Sequence, residues 1–70
     1  MDRVRVVSSN VFSIGYDSKQ RILEVEFNDK TIYHYFEVPD HIHVELMRAS
    51  SKGSYLASHI KGKYRYMQIK

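Results

Sequence analysis

Leu23-Glu24-Val25-Glu26-Phe27 runs into Asn28-Asp29-Lys30 and then Ile32-Tyr33-His34-Tyr35-Phe36. Leu23, Val25 and Phe27 alternate with two glutamates, the period of a strand that buries one face. The Asn-Asp-Lys step is a short turn, so a hairpin follows. The aromatic and β-branched run after it suits the returning strand. Upstream, Phe12, Ile14 and Tyr16 alternate with Ser13 and Gly15, and Asp17-Ser18-Lys19-Gln20 is a turn. Val4, Val6 and Ser8 mark a further short strand at the start. Short connections favour antiparallel neighbours, so these strands form a meander of three to four.

Downstream the pattern changes. Pro39 holds Val38 extended and suits the first turn of a helix, and Asp40 complements that helix's positive end. Ile42, Leu46 and Ala49 recur at helical spacing. Ser50-Ser51-Lys52-Gly53 is a break, with Ser51 the N-cap of a second short helix striped by Tyr55, Leu56, His59 and Ile60. Gly62 suits the position after that helix, and Lys61 and Lys63 sit at its negative end. Tyr64 to Ile69 alternates again: Arg65, Met67 and Ile69 on one face, Tyr64, Tyr66 and Gln68 on the other. The sequence therefore predicts an α+β domain over residues 1–70: an antiparallel three- to four-stranded β-meander, two short helices packed on one sheet face, then a C-terminal strand. With so few strands, an edge is left open or pairs with another chain.

Composition removes several classes. Seventy residues make one small domain with a thin stability margin. The absence of cysteine excludes disulfides, thiolate zinc sites and a thiol nucleophile, and is compatible with a reducing, cytoplasmic setting. No apolar run is long enough for a membrane span, and no apolar stretch of signal-peptide length follows Met1. His41 and His43 are two apart on a helix, which points their rings away from each other, and no H-E-x-x-H pattern occurs; no metal and no cofactor is expected. Ser13, His34 and Asp17 carry no nucleophile-elbow motif, and Glu24 and Glu26 are expected on a solvated strand face; no enzyme is expected.

Charge is unevenly spread. Residues 1–45 hold five basic side chains and all eight acids, net −3, whereas residues 46–70 hold six basic side chains and no acid, net +6. A cationic final third interleaved with tyrosines suits phosphate backbones and stacked bases. Lys61, Lys63, Tyr64, Arg65 and Tyr66 form the densest basic-aromatic cluster, with Tyr55 and His59 on the preceding helix. An edge strand protected by its own charge explains the same residues without a ligand. Tyr33 and Tyr35, two apart on a strand, share one face and could stack bases. Ile32 and Phe36 on the opposite face are the better core residues by composition, so the tyrosines are expected to be partly exposed. Ser51-Lys52-Gly53-Ser54 offers free amides, hydroxyls and a cation to an anion at a helix start, although ordinary capping accounts for the same residues.

Together, Ser8-Ser9-Asn10-Val11, Ile14-Gly15-Tyr16-Asp17, Tyr33-His34-Tyr35, Val38-Pro39, Leu46-Met47-Arg48-Ala49 and Ser51-Lys52-Gly53-Ser54-Tyr55, followed by Ile60 and Tyr64, resemble the KTSC domain. That short module is named for the C-terminus of some lysyl-tRNA synthetases and also stands alone in bacteria and phages. The resemblance runs from about Val4 to Ile69. It implies a single small module, with RNA binding suggested by the fusion to synthetases. Two places depart from the pattern: no Gly follows Asn28, and Tyr55-Leu56-Ala57 stands where Tyr-Phe-Asn is common, so a ligand contact made by that Asn would be missing at Ala57. The expected activity is non-catalytic binding of RNA or another single-stranded nucleic acid, mainly through the phosphate backbone. The alternative is a protein-interaction module that pairs a sheet edge with a partner or a second copy, which for a phage copy could mean inhibiting a host protein.

Overall fold

In the computed structural model, which describes residues 1–70, the chain forms β1 (Arg3–Arg5), β2 (Val11–Asp17), β3 (Ile22–Phe27), β4 (Ile32–Tyr35), α1 (Asp40–Arg48), α2 (Lys52–His59) and β5 (Tyr66–Gln68). The five strands make one antiparallel sheet in the order β1-β2-β3-β4-β5. The meander of four strands, the two helices and the closing strand are those read from the sequence.

Both turns are held by the residues that announced them. Asp17 Oδ1 accepts from the amides of Lys19 and Gln20 at 3.0 and 3.1 Å. Asp29 Oδ1 accepts from the amide and the hydroxyl of Thr31 at 3.1 and 2.7 Å. Pro39 caps α1, and Ser51 caps α2 by accepting from the Ser54 amide at 3.2 Å. The Tyr16 hydroxyl donates to the Val38 carbonyl and reaches the Asp40 carboxylate at 2.9 Å, which ties β2 to the start of α1.

The core lies between one sheet face and the helices. Leu23 and Val25 of β3, Ile14 of β2, Val38, Leu46 of α1, and Leu56 and Ile60 at the end of α2 are all nearly inaccessible. Burying these aliphatic side chains contributes about 1.5–3 kcal/mol apiece before conformational entropy is charged against it.

Three details differ from the sequence reading. First, Tyr33 and Tyr35 lie on the helix-covered face. Tyr35 stands opposite Leu23 and Tyr33 opposite Val25, and residues directly opposite on antiparallel strands share a face. Register therefore overrides the composition of β4. Tyr35 is a core residue at 3% exposure, and Tyr33 is half-buried against the core. Second, the register shifts between Val11 and Ser13, so Val11 enters the core and Phe12 turns outward. The Arg5 guanidinium lies 4.0 Å from the Phe12 ring centre.

Third, Glu24 is not solvated. It lies on the uncovered face at 8% exposure, accepting from Arg3 and lying 2.7 Å from His34 Nε2. Arg3 also lies 3.3 Å from Glu26 and donates through Nε to Ser13 Oγ at 2.9 Å. Gly15 makes this possible: it stands opposite Arg3, and a Cβ there would sit 2.8 Å from the Asp2 carbonyl and 3.0 Å from Arg3 Cγ. Burial raises the Glu24 carboxyl's pKa, but the bonds from His34 and Arg3 outweigh it and hold the group below its ordinary value.

Candidate nucleic-acid interface

The helices do not cover the whole of their sheet face. Beside β4 and β5 they leave a groove of about 790 Å³, floored by Phe27, Tyr33, Tyr35 and Tyr66. The rings are contiguous. Phe27 meets Tyr33 edge-on at 5.6 Å between centres, Tyr33 and Tyr35 stack at 6.4 Å, and Tyr66 lies 5.9 Å from Tyr33 and 6.1 Å from Tyr35. Register explains the row: Tyr35 pairs with Tyr66, and Tyr33 with Gln68, whose Oε1 accepts from the Tyr33 hydroxyl at 3.1 Å. Tyr66 is 62% exposed and presents most of its ring. Burial pushes the Tyr35 phenol up to about 12, so it stays neutral throughout the physiological range.

One rim is cationic. Lys61 follows α2 and holds Nζ 5.3 Å from the Phe27 ring centre. Gly62 turns the chain at φ 80°, a conformation that favours glycine. It lines both this groove and a shallower hollow of about 550 Å³ bordered by Lys63, Tyr64 and Arg65. Tyr66 is the other residue the two hollows share. The Arg65 guanidinium lies 5.4 Å from the Phe36 ring and 3.8 Å from the Glu37 carboxylate, with both side chains largely exposed. Neither Lys61 nor Lys63 has a carboxylate within ion-pair distance.

The corner that follows Phe27 is polar. Asn28 spends its amide hydrogens on the carbonyls of Ser9, at 3.0 Å, and Ser8, at 3.5 Å. Asn10, Asp29 and Thr31 complete that corner.

The structure thus gathers Tyr33, Tyr35, Lys61, Lys63, Tyr64 and Arg65 around two joined hollows. Tyr64 is half-buried against the core, so only part of it is available. Tyr55 and His59 line neither hollow. Their rings pack at 4.5 Å, and the Tyr55 hydroxyl donates to Glu45 at 2.8 Å; desolvation and that carboxylate push its pKa up to about 12. The Ser51–Ser54 segment is occupied by its own structure. Ser51 and Ser54 hydroxyls bond each other at 3.0 Å, Lys52 Nζ folds back onto the Ala49 carbonyl at 2.6 Å, and a Cβ on Gly53 would lie 2.4 Å from Asn10 Oδ1. The sequence reading missed Phe27, Asn10, Asn28 and Asp29 as groove residues. Phe27 carried a signal, since it shares the Leu23/Val25 face next to the turn; Asn28 and Asp29 read as turn chemistry alone, and Asn10 only as part of the family resemblance.

No group of three or more His, Asp or Glu side chains is placed to hold a metal ion, and no helix is long and apolar enough to cross a membrane. Fold and groove define a small α+β module with an aromatic trough rimmed by Lys61, beside a hollow bordered by Lys63 and Arg65. The sequence profile of the KTSC domain matches residues 7–64, and the chain belongs to that family. It is 41% identical over 70 residues to a protein of Stutzerimonas stutzeri described as uncharacterized, covering 99% of both chains. It is 43% identical over 54 residues to a lysine–tRNA ligase of Trichormus variabilis, a match covering 77% of this chain and 10% of the ligase. The crystal structure of a KTSC domain protein from Yersinia pestis superposes with a TM-score of 0.95 at 40% identity, covering 99% of this chain and 97% of that one.

Proposed function

We infer that this KTSC domain is a non-catalytic module that binds single-stranded nucleic acid, RNA in preference. One observation carries the reading: Lys61, Lys63 and Arg65 surround two hollows that meet at Tyr66, and their single ion pair is the solvent-exposed contact of Arg65 with Glu37. Cations left unpaired beside open rings suit a phosphate backbone with unstacked bases. The match to a stretch of a lysine–tRNA ligase supports RNA over DNA. Pairing of a partner strand along a sheet edge is the less favoured reading. Both edge strands span only three residues, and Arg3, Arg5 and Arg65 lie on or beside them, features that discourage strand addition.

The test is fluorescence anisotropy with a labelled single-stranded RNA of about ten nucleotides, a length within the range of small single-strand sites. Lys61→Glu with Lys63→Glu is expected to abolish binding while the amide spectrum stays folded, and the DNA of equal sequence is expected to bind more weakly. Unchanged RNA binding by the double variant would overturn the reading. Equal affinity for DNA would remove the RNA preference.

A further inference from the structure

The groove is bordered by charges of both signs, and that difference bears on which part of a nucleic acid goes where. Lys61 stands over Phe27 on one rim. At the β3–β4 corner stands Asp29, a carboxylate held below its ordinary pKa by the two bonds it accepts from Thr31. An anion repels a phosphate backbone, so a strand in this groove keeps its phosphates toward Lys61 and, past Tyr66, toward Lys63 and Arg65 of the adjoining hollow. Only a base edge can approach Asp29.

The corner's hydrogen-bonding inventory is specific. The Asn28 amide nitrogen donates to the Ser9 carbonyl at 3.0 Å and, more weakly, to the Ser8 carbonyl at 3.5 Å, so its chief remaining group is the Oδ1 acceptor. Asp29 offers acceptors alone, its second oxygen being free of Thr31. Asn10 accepts the Ser8 hydroxyl through Oδ1 at 3.3 Å and leaves its Nδ2 donor without a protein partner. Guanine's Watson–Crick edge complements this set: two adjacent donors, N1–H and the exocyclic amine, beside the O6 acceptor. Adenine and cytosine present one amine beside an acceptor nitrogen, and uracil one imino group between two carbonyls. Length allows a second base. Thr31, just before β4, and Tyr35 at its end lie four residues apart, about 13 Å at the rise of a strand. A base at the Asn28–Asp29 corner therefore leaves the Tyr66 ring free for a neighbour.

We propose that the groove takes an unpaired two-nucleotide step of RNA, with one base stacked on Tyr66 and a guanine at the Asn10–Asn28–Asp29 corner, Lys61 meeting the backbone between them. The assignment rests on the single-strand-binding reading above and adds to it base orientation and base preference.

The experiment measures anisotropy of a labelled ten-nucleotide oligouridylate and of the same strand with one central uridine replaced by guanosine, adenosine or cytidine, a probe length within known single-strand site sizes. The guanosine strand is expected to bind the wild-type protein about fivefold tighter than the other three, toward the low end for a base-edge contact at an open site. Asp29→Asn keeps an oxygen for Thr31 but turns the free atom into a donor. It should erase the guanosine advantage and, because the anion that repels phosphate is gone, bind oligouridylate at least as tightly as the wild-type protein does. Tyr66→Ala should weaken all four strands about tenfold, the loss of one base–aromatic stack. Tyr66 is largely exposed, so this variant keeps its fold. Salt-dependent binding of all four strands with no guanosine advantage, or an advantage that survives Asp29→Asn, overturns this assignment alone. Failure of the wild-type protein to bind any strand overturns the function reading, and this one with it.

Discussion

Ionic strength is the sharpest probe of the proposed interface, because the structure fixes how many cations should respond. Lys61, Lys63 and Arg65 border the joined hollows. If each neutralises one phosphate of a single strand, the slope of log affinity against log salt is about −0.7 per contact, or about −2 in all. Raising salt from about 50 to about 200 mM then weakens binding about twentyfold. Replacing Lys61 and Lys63 by Gln leaves one contact, and the same change in salt costs less than about threefold. Anisotropy titrations of a short labelled RNA at four or more salt concentrations give both slopes. A wild-type slope near zero, or identical slopes for the two proteins, refutes the argument. A slope twice as steep would extend the backbone path to Arg48, Lys52 or Lys70 and away from the hollows.

Two further predictions concern the sheet that carries the groove. Glu24→Gln should lower stability at pH 7 by about 1.5–3 kcal/mol, the range for a hydrogen bond to a charged group, since Arg3 and His34 both lose a carboxylate partner. Because the folded carboxyl titrates below its ordinary value of 4.5, its contribution is complete above that value and is lost as pH falls through the folded pKa. Urea midpoints of wild type and variant should therefore converge in acid, and curves that stay parallel from pH 7 to the acid limit would contradict this. Gly15→Ala should displace β1, because the new Cβ meets the Asp2 carbonyl at 2.8 Å. We expect a loss of about 1–3 kcal/mol, typical of overpacking, and faster exchange of the Val6 amide, which donates to Phe12 at 3.0 Å. Unchanged exchange at Val6 would show that β1 absorbs the methyl group.

What the sequence made legible, and what it hid, follows from the range of the forces involved. Strands, turns and caps rest on neighbours two to four residues apart, so alternation in Leu23–Phe27, the Asp17 and Asp29 turns and the Ser51 cap could be read directly. The face of β4 could not. Ile32 and Phe36 look more apolar than Tyr33 and Tyr35, yet pairing with Leu23 and Val25 decides the matter. One bulged residue likewise moved Phe12 out and Val11 in. Glu24 looked solvated because its two partners, Arg3 and His34, arrive from other strands. The basic cluster was visible as composition, but the groove beside it joins the β3–β4 turn to the segment after α2, residues about thirty apart in sequence brought together by the packing of α2 into the core and the pairing of β5 with β4.

That arrangement has a consequence for how binding and stability relate. In a chain of 70 residues there is little interior to reserve for structure alone. Tyr33 and Tyr35 are packed against core side chains and also form the groove floor, so the ring row has one side in the protein and the other on the open groove. Removing Tyr35, at 3% exposure, opens a cavity and unsettles the fold before it informs on binding, with a cost of about 3–5 kcal/mol on the scale of large aromatic truncations. Tyr66 stands on the edge strand and contributes mostly its exposed ring, so it separates the two roles. The same geometry makes a ligand an addition to a nearly complete core. On the proposed function, a nucleic-acid strand seated on the ring row would bind the folded chain and not the unfolded one, and at a hundred times its Kd would raise stability by about 2.7 kcal/mol, a large share of what so small a domain has.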